Sequence, residues 1–207
     1  MSTITNDRNG RVCGKIRRLR LKYNQLFYTA YVKLNLRFKK IGYGSGLVCF
    51  GYTYFCRAPY SSITIGKNVE FRSDKTSNLI GLNKPCLIAT LRKNSRIEIG
   101  DNSGLSGTAI GAANKIIIGS NVMVGANSLI TDTNWHNIDP HLRHTADPLP
   151  GEVYIGDNVF IGYGSIILKN VSIGKNSVIG AGSVVTKSIP ANVIAAGNPC
   201  VVIRALK

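Results

Sequence analysis

The sequence predicts an all-β solenoid: a triangular coil of short parallel strands, preceded by an α-helical segment and broken by one excursion loop. Three observations carry this. From Ile155 the chain reads IGDNVF, IGYGSI, ILKNVS, IGKNSV, IGAGSV, VTKSIP, six consecutive hexads opened by Ile155, Ile161, Ile167, Ile173, Ile179 and Val185. The tetrad I-G-[DKS]-N recurs at 65, 99, 118, 155 and 173, with spacings of 34, 19, 37 and 18, so three hexads make one structural turn. The 207 residues include 22 Gly, 19 Asn and 24 Ile, with only 17% charged, a balance that favours short strands and tight corners over long surface helices.

The period has a direct physical meaning. Each hexad supplies a short flat strand and a corner, and the opening aliphatics stack from coil to coil, ~4.8 Å apart, excluding water together. One hexad cannot bury its own apolar face, so stability requires several stacked turns. The fifth places (Val159, Ser165, Val171, Ser177, Ser183, Ile189) hold mostly small or β-branched residues that suit a narrow interior near the corners. Gly and Asn are expected to supply the positive-φ corner conformations that most residues avoid. An amphipathic helix fails to explain a repeat of six, and a sandwich would need an alternation that the hexads lack.

Residues 1–40 form the first unit. They carry eleven Lys or Arg against one acid, Asp7, so 11 − 1 gives +10 of the chain's formal +16. Ile16, Leu19, Tyr23, Leu26, Phe27, Ala30, Tyr31 and Leu34 recur at helical spacing, with Arg17, Arg18, Arg20 and Lys22 between them. One or two amphipathic helices are expected. They either cap one end of the solenoid or adhere to an anionic membrane, where each cation near the headgroups is worth ~1 kcal/mol. No nucleic-acid module accompanies the charge, so nucleic acid is not expected as a partner. The five cysteines are odd in number and lack a C-x-x-C pair, which fits a reducing compartment. No apolar run approaches ~18 residues and no secretory h-region opens the chain, so a cytoplasmic protein is expected, peripheral to a membrane at most.

The hexads occupy residues 41–190, with further matches at Ile41, Ile65, Ile99, Ile118, Val124 and Ile130. The run breaks once, between Ile130 and Ile155, so a loop is expected over 131–154. It holds all three histidines (His136, His141, His144), the only Trp, and two of the seven prolines within PLP. A solenoid tolerates a corner loop without disturbing its stack, and such loops commonly carry chemistry. Residues 191–207 form an exit segment.

The repeat, and above all the ending IGAGSVVTKSIPANVIAAGNPCVVIR, resembles the hexapeptide-repeat acyltransferases, nearest to galactoside, maltose and nodulation-type O-acetyltransferases and to capsule or lipopolysaccharide O-acetyltransferases. The resemblance covers roughly 97–207. It implies a left-handed parallel β-helix, a handedness opposite to the general crossover preference. It also implies an acetyl-CoA-dependent O-acetyltransferase acting on a sugar or lipid-linked glycan hydroxyl, assembled as a homotrimer in which the loop histidine of one subunit meets the coenzyme A groove beside the next. By that resemblance His136 is the general base: a neutral imidazole takes the hydroxyl proton, and the oxygen attacks the thioester directly. Asp132, Asp139 or a backbone carbonyl is expected to orient its ring. Asn114, Asn134, Trp135 and Phe160 are candidates for the acceptor site, Trp135 equally for anchoring the loop, and Ser106 is a further upstream candidate. The family pattern sets coenzyme A against Gly162, Tyr163, Gly180 and Ala181, with Thr186, Lys187 and Arg204 near its nucleotide end and phosphates. Tyr163 stands where the family usually has a small residue, Phe160 where Trp is frequent, and Val201 where a second basic residue is common.

Two other classes remain open. A carbonic-anhydrase-like metal enzyme could use the His136-x4-His141 spacing, but its site needs a third histidine from a distant coil, whereas all three here fall within nine residues, so no metal is expected. A non-catalytic scaffold would use the prism for assembly and the basic arm for membrane contact.

Overall fold

The structure, a computed structural model, describes residues 7–206. Three parallel sheets wind into a triangular prism. The first face stacks Gly42–Tyr43, Ser62–Ile65, Arg96–Ile99, Lys115–Ile118, Glu152–Ile155 and Val171–Ile173. The second stacks Val48–Phe50, Glu70–Arg72, Gly104–Ser106, Met123–Val124, Phe160–Ile161 and Val178–Ile179, and the third Tyr54–Cys56, Leu87–Thr90, Ala109–Ala112, Leu129–Thr131, Ile166–Ile167 and Val184–Val185. Each strand pairs with the one three positions along the chain, so the prism completes six coils. Val193–Gly197 then adds to the second face, and Cys200–Ala205 folds back on it antiparallel.

The hexad register is the packing register. Ile65, Ile99, Ile118, Ile155, Ile173 and Ile189 stand opposite one another in a single row on the first face. Phe71, Leu105, Val124, Ile161 and Ile179 form the second row, and Phe55, Ile88, Ile110, Ile130, Ile167 and Val185 the third. All are buried in one continuous core. Fifth-place Ser165, Ser177 and Ser183 are fully buried too. Their hydroxyls donate to the carbonyls of Gly162 (2.9 Å), Pro190 (2.8 Å) and Gly180 (2.6 Å), which satisfies a polar group that would otherwise be costly inside.

Both Asn and Gly take positive φ at the corners, as expected, with Gly164 at 66° and Gly182 at 70°. In the tetrads it is Asn that takes positive φ, 54–59° at Asn68, Asn102, Asn121, Asn158 and Asn176. The tetrad glycines serve approach between coils. A Cβ on Gly100 would lie 2.4 Å from the carbonyl carbon of Gly119, and one on Gly174 2.3 Å from the nitrogen of Ala191. Asn side chains bond up the edge, Asn158 to Asn176 (3.0 Å) and Asn176 to Asn192 (2.8 Å).

Two segments leave the prism where one break was expected. The predicted loop emerges between Thr131 and Glu152, at the edge joining the third face to the first. A second, residues 73–86, leaves the edge joining the second face to the third. Its turn reaches two coils along: the Asn127 side-chain amide donates to Gly81 O (2.9 Å) and its oxygen accepts from Asn83 N (2.9 Å).

Among the described residues a single helix, Arg8–Phe38, precedes the prism, its N-terminus capped by Asp7, whose carboxylate accepts the Gly10 N–H at 2.8 Å. Its apolar stripe is not what packs. Val32 and Leu36 are fully buried against the first coil, and Thr29 exchanges bonds with the Cys49 backbone. The expected stripe points the other way: its large members range from 48% exposed at Tyr31 to 71% at Tyr23. Val32, Leu36 and Thr29 lie on the side of the helix opposite the stripe, so packing that side on the prism leaves the stripe outward. Among the described residues no helix is long and apolar enough to cross a membrane.

Candidate active site

The excursion 132–151 is pinned at its base before it carries any chemistry. Gly151 N donates to Asp132 O (2.7 Å), closing the loop's neck. Asp132 is fully buried and accepts the backbone N–H groups of Ala113 (2.6 Å), Asn114 (2.8 Å) and Lys115 (2.6 Å). Burial pushes its carboxyl above the ordinary range, and the three N–H donors pull against that shift. The expectation that Asp132 orients His136 meets a carboxylate already occupied by the corner of the neighbouring coil. Asp139 is likewise engaged locally, accepting the His141 backbone N–H at 2.9 Å.

Beyond the neck, Thr133 is held by the Thr131 hydroxyl, and Trp135 takes φ +64° just before the histidine. A non-glycine residue in that region is strained and is held there by its surroundings. Here the indole lies over Gly111: a Cβ at Gly111 would stand 2.8 Å from Trp135 Cζ2. The return limb is fastened by Arg92, whose guanidinium donates to Pro148 O (2.9 Å) and faces the Asp147 carboxylate (3.5 Å), and by Lys169, which donates to Leu149 O (3.0 Å). Sequence reasoning missed Gly111 and Arg92. Neither sits in a motif; only the folded loop reveals them.

A cleft opens between the two limbs, lined by Trp135, His136, Arg143, His144 and Asp147. His136 is exposed in it, four residues past the pinned base, and its backbone N–H is bonded to Asn134 O (2.7 Å). An imidazole presented on a fastened loop, beside a half-exposed indole, can meet a hydroxyl arriving from solvent and accept its proton. Among the described residues no cluster of three or more His, Cys, Asp or Glu is arranged to hold a metal ion.

The other expected site residues lie elsewhere on the prism. Gly162, Tyr163, Gly180 and Ala181 share the edge between the second and third faces, two coils in register, and the Tyr163 hydroxyl bonds Asn127 (3.0 Å) beside the 73–86 turn. A Cβ on Gly162 would fall 2.4 Å from the nitrogen of Ala181, so that glycine serves coil stacking in addition to any ligand. Thr186 and Lys187 stand exposed at the end of the last third-face strand, on the histidine's edge, and Arg204 on the terminal strand of the second face. Phe160 projects outward from the second face beside Met123. Asn114 spends its side chain on Gly151 O (3.1 Å), and Ser106 accepts from Asn78 on the opposite edge. The histidine cleft and the Gly162–Ala181 edge therefore belong to different edges of one chain.

Similarity to known proteins follows the repeat. Residues 152–187 match the family model described as bacterial transferase hexapeptide (six repeats), and 115–131 that of the hexapeptide repeat of succinyl-transferase. A galactoside O-acetyltransferase of Lactococcus lactis subsp. lactis (strain IL1403) is 52% identical over 92 residues, 44% of this chain and 44% of that one, so the chain spans less than half of that relative's length. A solved galactoside acetyltransferase in complex with coenzyme A is 42% identical over 54% of this chain and 56% of its own, at a TM-score of 0.52. A maltose O-acetyltransferase from Clostridium difficile 630 extends over 95% of this chain and 86% of its own, at 31% identity and a TM-score of 0.52. The prism is the left-handed parallel β-helix of these proteins. Six-residue repeats wound three to a coil, and a likeness that runs nearly end to end, make this chain a member of the hexapeptide-repeat acetyltransferase family.

Proposed function

We propose that the protein transfers the acetyl group of acetyl-CoA to a hydroxyl of a sugar or surface-polysaccharide precursor, with His136 as general base. The observation that carries the reading is the presentation of His136 on a loop fastened at four points, at the edge joining the third face to the first. The imidazole takes the hydroxyl proton as the oxygen attacks the thioester carbonyl. The tetrahedral intermediate expels the thiolate, which recovers the proton from the imidazolium. No serine or cysteine nucleophile is needed. Thr186, Lys187 and Arg204 supply an exposed hydroxyl and cations for the nucleotide end, and the Gly162–Ala181 edge supplies backbone for the pantetheine arm.

That edge and the histidine cleft would be joined by a neighbouring copy, which supports a homotrimer. Outward rows of apolar side chains fit such contacts. Met123, Phe160, Val178 and Ile194 align on the second face, and Leu87, Ala109, Leu129, Ile166 and Val184 on the third. The first face carries the ion pairs Arg96–Glu98 and Lys115–Glu152, and the second face carries Arg72–Glu70 in its second coil, away from the Met123–Ile194 row. With acetyl-CoA as donor, the reaction belongs in the cytoplasm. A lipid-linked glycan is included among the acceptors because the basic arm suits contact with a membrane.

Thiol release from acetyl-CoA, followed against a panel of soluble sugars and lipid-linked saccharides, tests the activity. Acceptor-dependent release that His136→Ala abolishes supports it. A protein that binds no acetyl-CoA in calorimetry refutes it in favour of a scaffold. Mass measurement in solution tests assembly, and a monomer that still turns over would refute the shared site.

A further inference from the structure

We infer that the outward crest of the Arg8–Phe38 helix docks on an anionic lipid bilayer, lying in its interface rather than crossing it. The helix is about 46 Å long at ~1.5 Å per residue. Val32 and Leu36 near its end are fully buried against the prism, and the same side makes lighter contacts further back, through half-buried Thr29 and through Arg17, whose guanidinium donates to Thr76 O (3.1 Å). The opposite side presents Ile16, Leu19, Tyr23, Leu26, Phe27 and Leu34, each more than half exposed. Tyr23, Phe27 and Tyr31 form a stacked row along it, with ring centroids 6.3 and 6.5 Å apart. A contiguous apolar and aromatic strip of this length, facing solvent, marks an interaction surface.

Charge decides what covers it. The segment Arg8–Phe38 contains nine Lys or Arg and no Asp or Glu. Lys15, Lys22 and Lys33 fall on one flank, about 100–120° round the helix from Ile16, and Arg20 borders the crest on the other side. Two such helices laid side by side would bring these cations together with no acid to offset them. An anionic surface meets the exposed Lys15, Arg20 and Lys22 with opposite charge, while the crest enters the boundary between headgroups and acyl chains. Tyrosine and phenylalanine rings suit that depth. Helix geometry and charge alone motivate this docking, so it stands or falls independently of acetyl transfer.

Flotation of the full-length protein with phosphatidylcholine vesicles, with and without about a third phosphatidylglycerol, tests it. Binding is expected only to the anionic vesicles, weakening as salt shortens the Debye length from ~10 Å at 0.1 M to ~3 Å at 1 M. Two exposed-site variants separate the contributions. Lys15→Gln/Arg20→Gln/Lys22→Gln should lower the vesicle partition coefficient about a hundredfold. Leu19→Ser/Leu26→Ser should also lower it at least tenfold, with the charge untouched. Acetyl transfer to a soluble acceptor should be unchanged in both, so an inactive but vesicle-bound protein would count against the enzymatic reading alone. Equal binding to neutral vesicles, no binding at low salt, or full binding by the Leu19→Ser/Leu26→Ser variant would each overturn the inference. So would loss of the solution oligomer in that variant, which would make the crest a contact between copies.

Discussion

Replacing Asp132 by Asn removes one acceptor oxygen at the neck of the candidate catalytic loop while keeping shape. In the native corner one carboxylate oxygen accepts Ala113 N–H and the other accepts Asn114 and Lys115 N–H, at 2.6–2.8 Å. The amide can serve one side only, so its NH2 must face at least one buried backbone donor. An unsatisfied buried N–H costs about 1–3 kcal/mol, and loss of charge assistance weakens the remaining bonds by about 1 kcal/mol each. Burial acts in the opposite sense by holding the carboxyl above its ordinary range, so a neutral side chain recovers some desolvation. The balance is a loss of about 2–4 kcal/mol, or roughly 5–15 °C in Tm for a chain of this size. Because the loop stays attached at Arg92 and Lys169, kcat should fall only about tenfold, with KM for acetyl-CoA nearly constant. Calorimetric melting and acetyl-transfer kinetics below both melting temperatures measure the two effects. An Asp132→Asn protein that melts like the wild type while losing a hundredfold or more in kcat would refute the reasoning, and would return Asp132 to the role of orienting the histidine ring.

Other perturbations should behave as follows. His136→Ala should cost about 10²–10⁴ in kcat with little change in melting, whereas His141→Ala and His144→Ala cost a few-fold; equal losses for all three would overturn the assignment. Gly100→Ala forces a Cβ to 2.4 Å from the Gly119 backbone and should lose about 1–3 kcal/mol in urea unfolding, while Gly104→Ala, with open space around it, should be neutral or slightly stabilising. Burial pushes the Cys49 and Cys86 thiols up to about 12 and about 11. A thiol reagent near pH 8 should therefore label exposed Cys13 and Cys56 and spare these two until the protein unfolds. The same shifts make the unfolded thiols ionise first, so stability is unaffected below ~pH 8 and falls by up to ~1.4 kcal/mol per pH unit per thiol as pH rises from ~9 towards 11. Stability that rises over that alkaline range would contradict the burial of both thiols.

The sequence by itself determined the prism. A period of six, tripled to eighteen, leaves one arrangement in which Ile65, Ile99, Ile118, Ile155 and Ile173 all become core, and they do stand in one row. It also located the loop that carries His136, because an interruption in a strict repeat is visible without coordinates. Four matters were settled only by tertiary structure. The 73–86 excursion lies where the hexads are already irregular, so no break marks it. The tetrad Gly and Asn have separate duties, one allowing coil approach and the other bending the chain, and composition cannot distinguish them. Asp132 is drawn to three backbone donors of a neighbouring coil, a demand set by residues about eighteen positions away and silent in its own motif. And the helical stripe, which periodicity alone reads as a packing face, points outward because hydrophobic spacing fixes which side chains share a face but not what that face meets; Val32 and Leu36 fit the end of the prism, and the more apolar side is left for another partner.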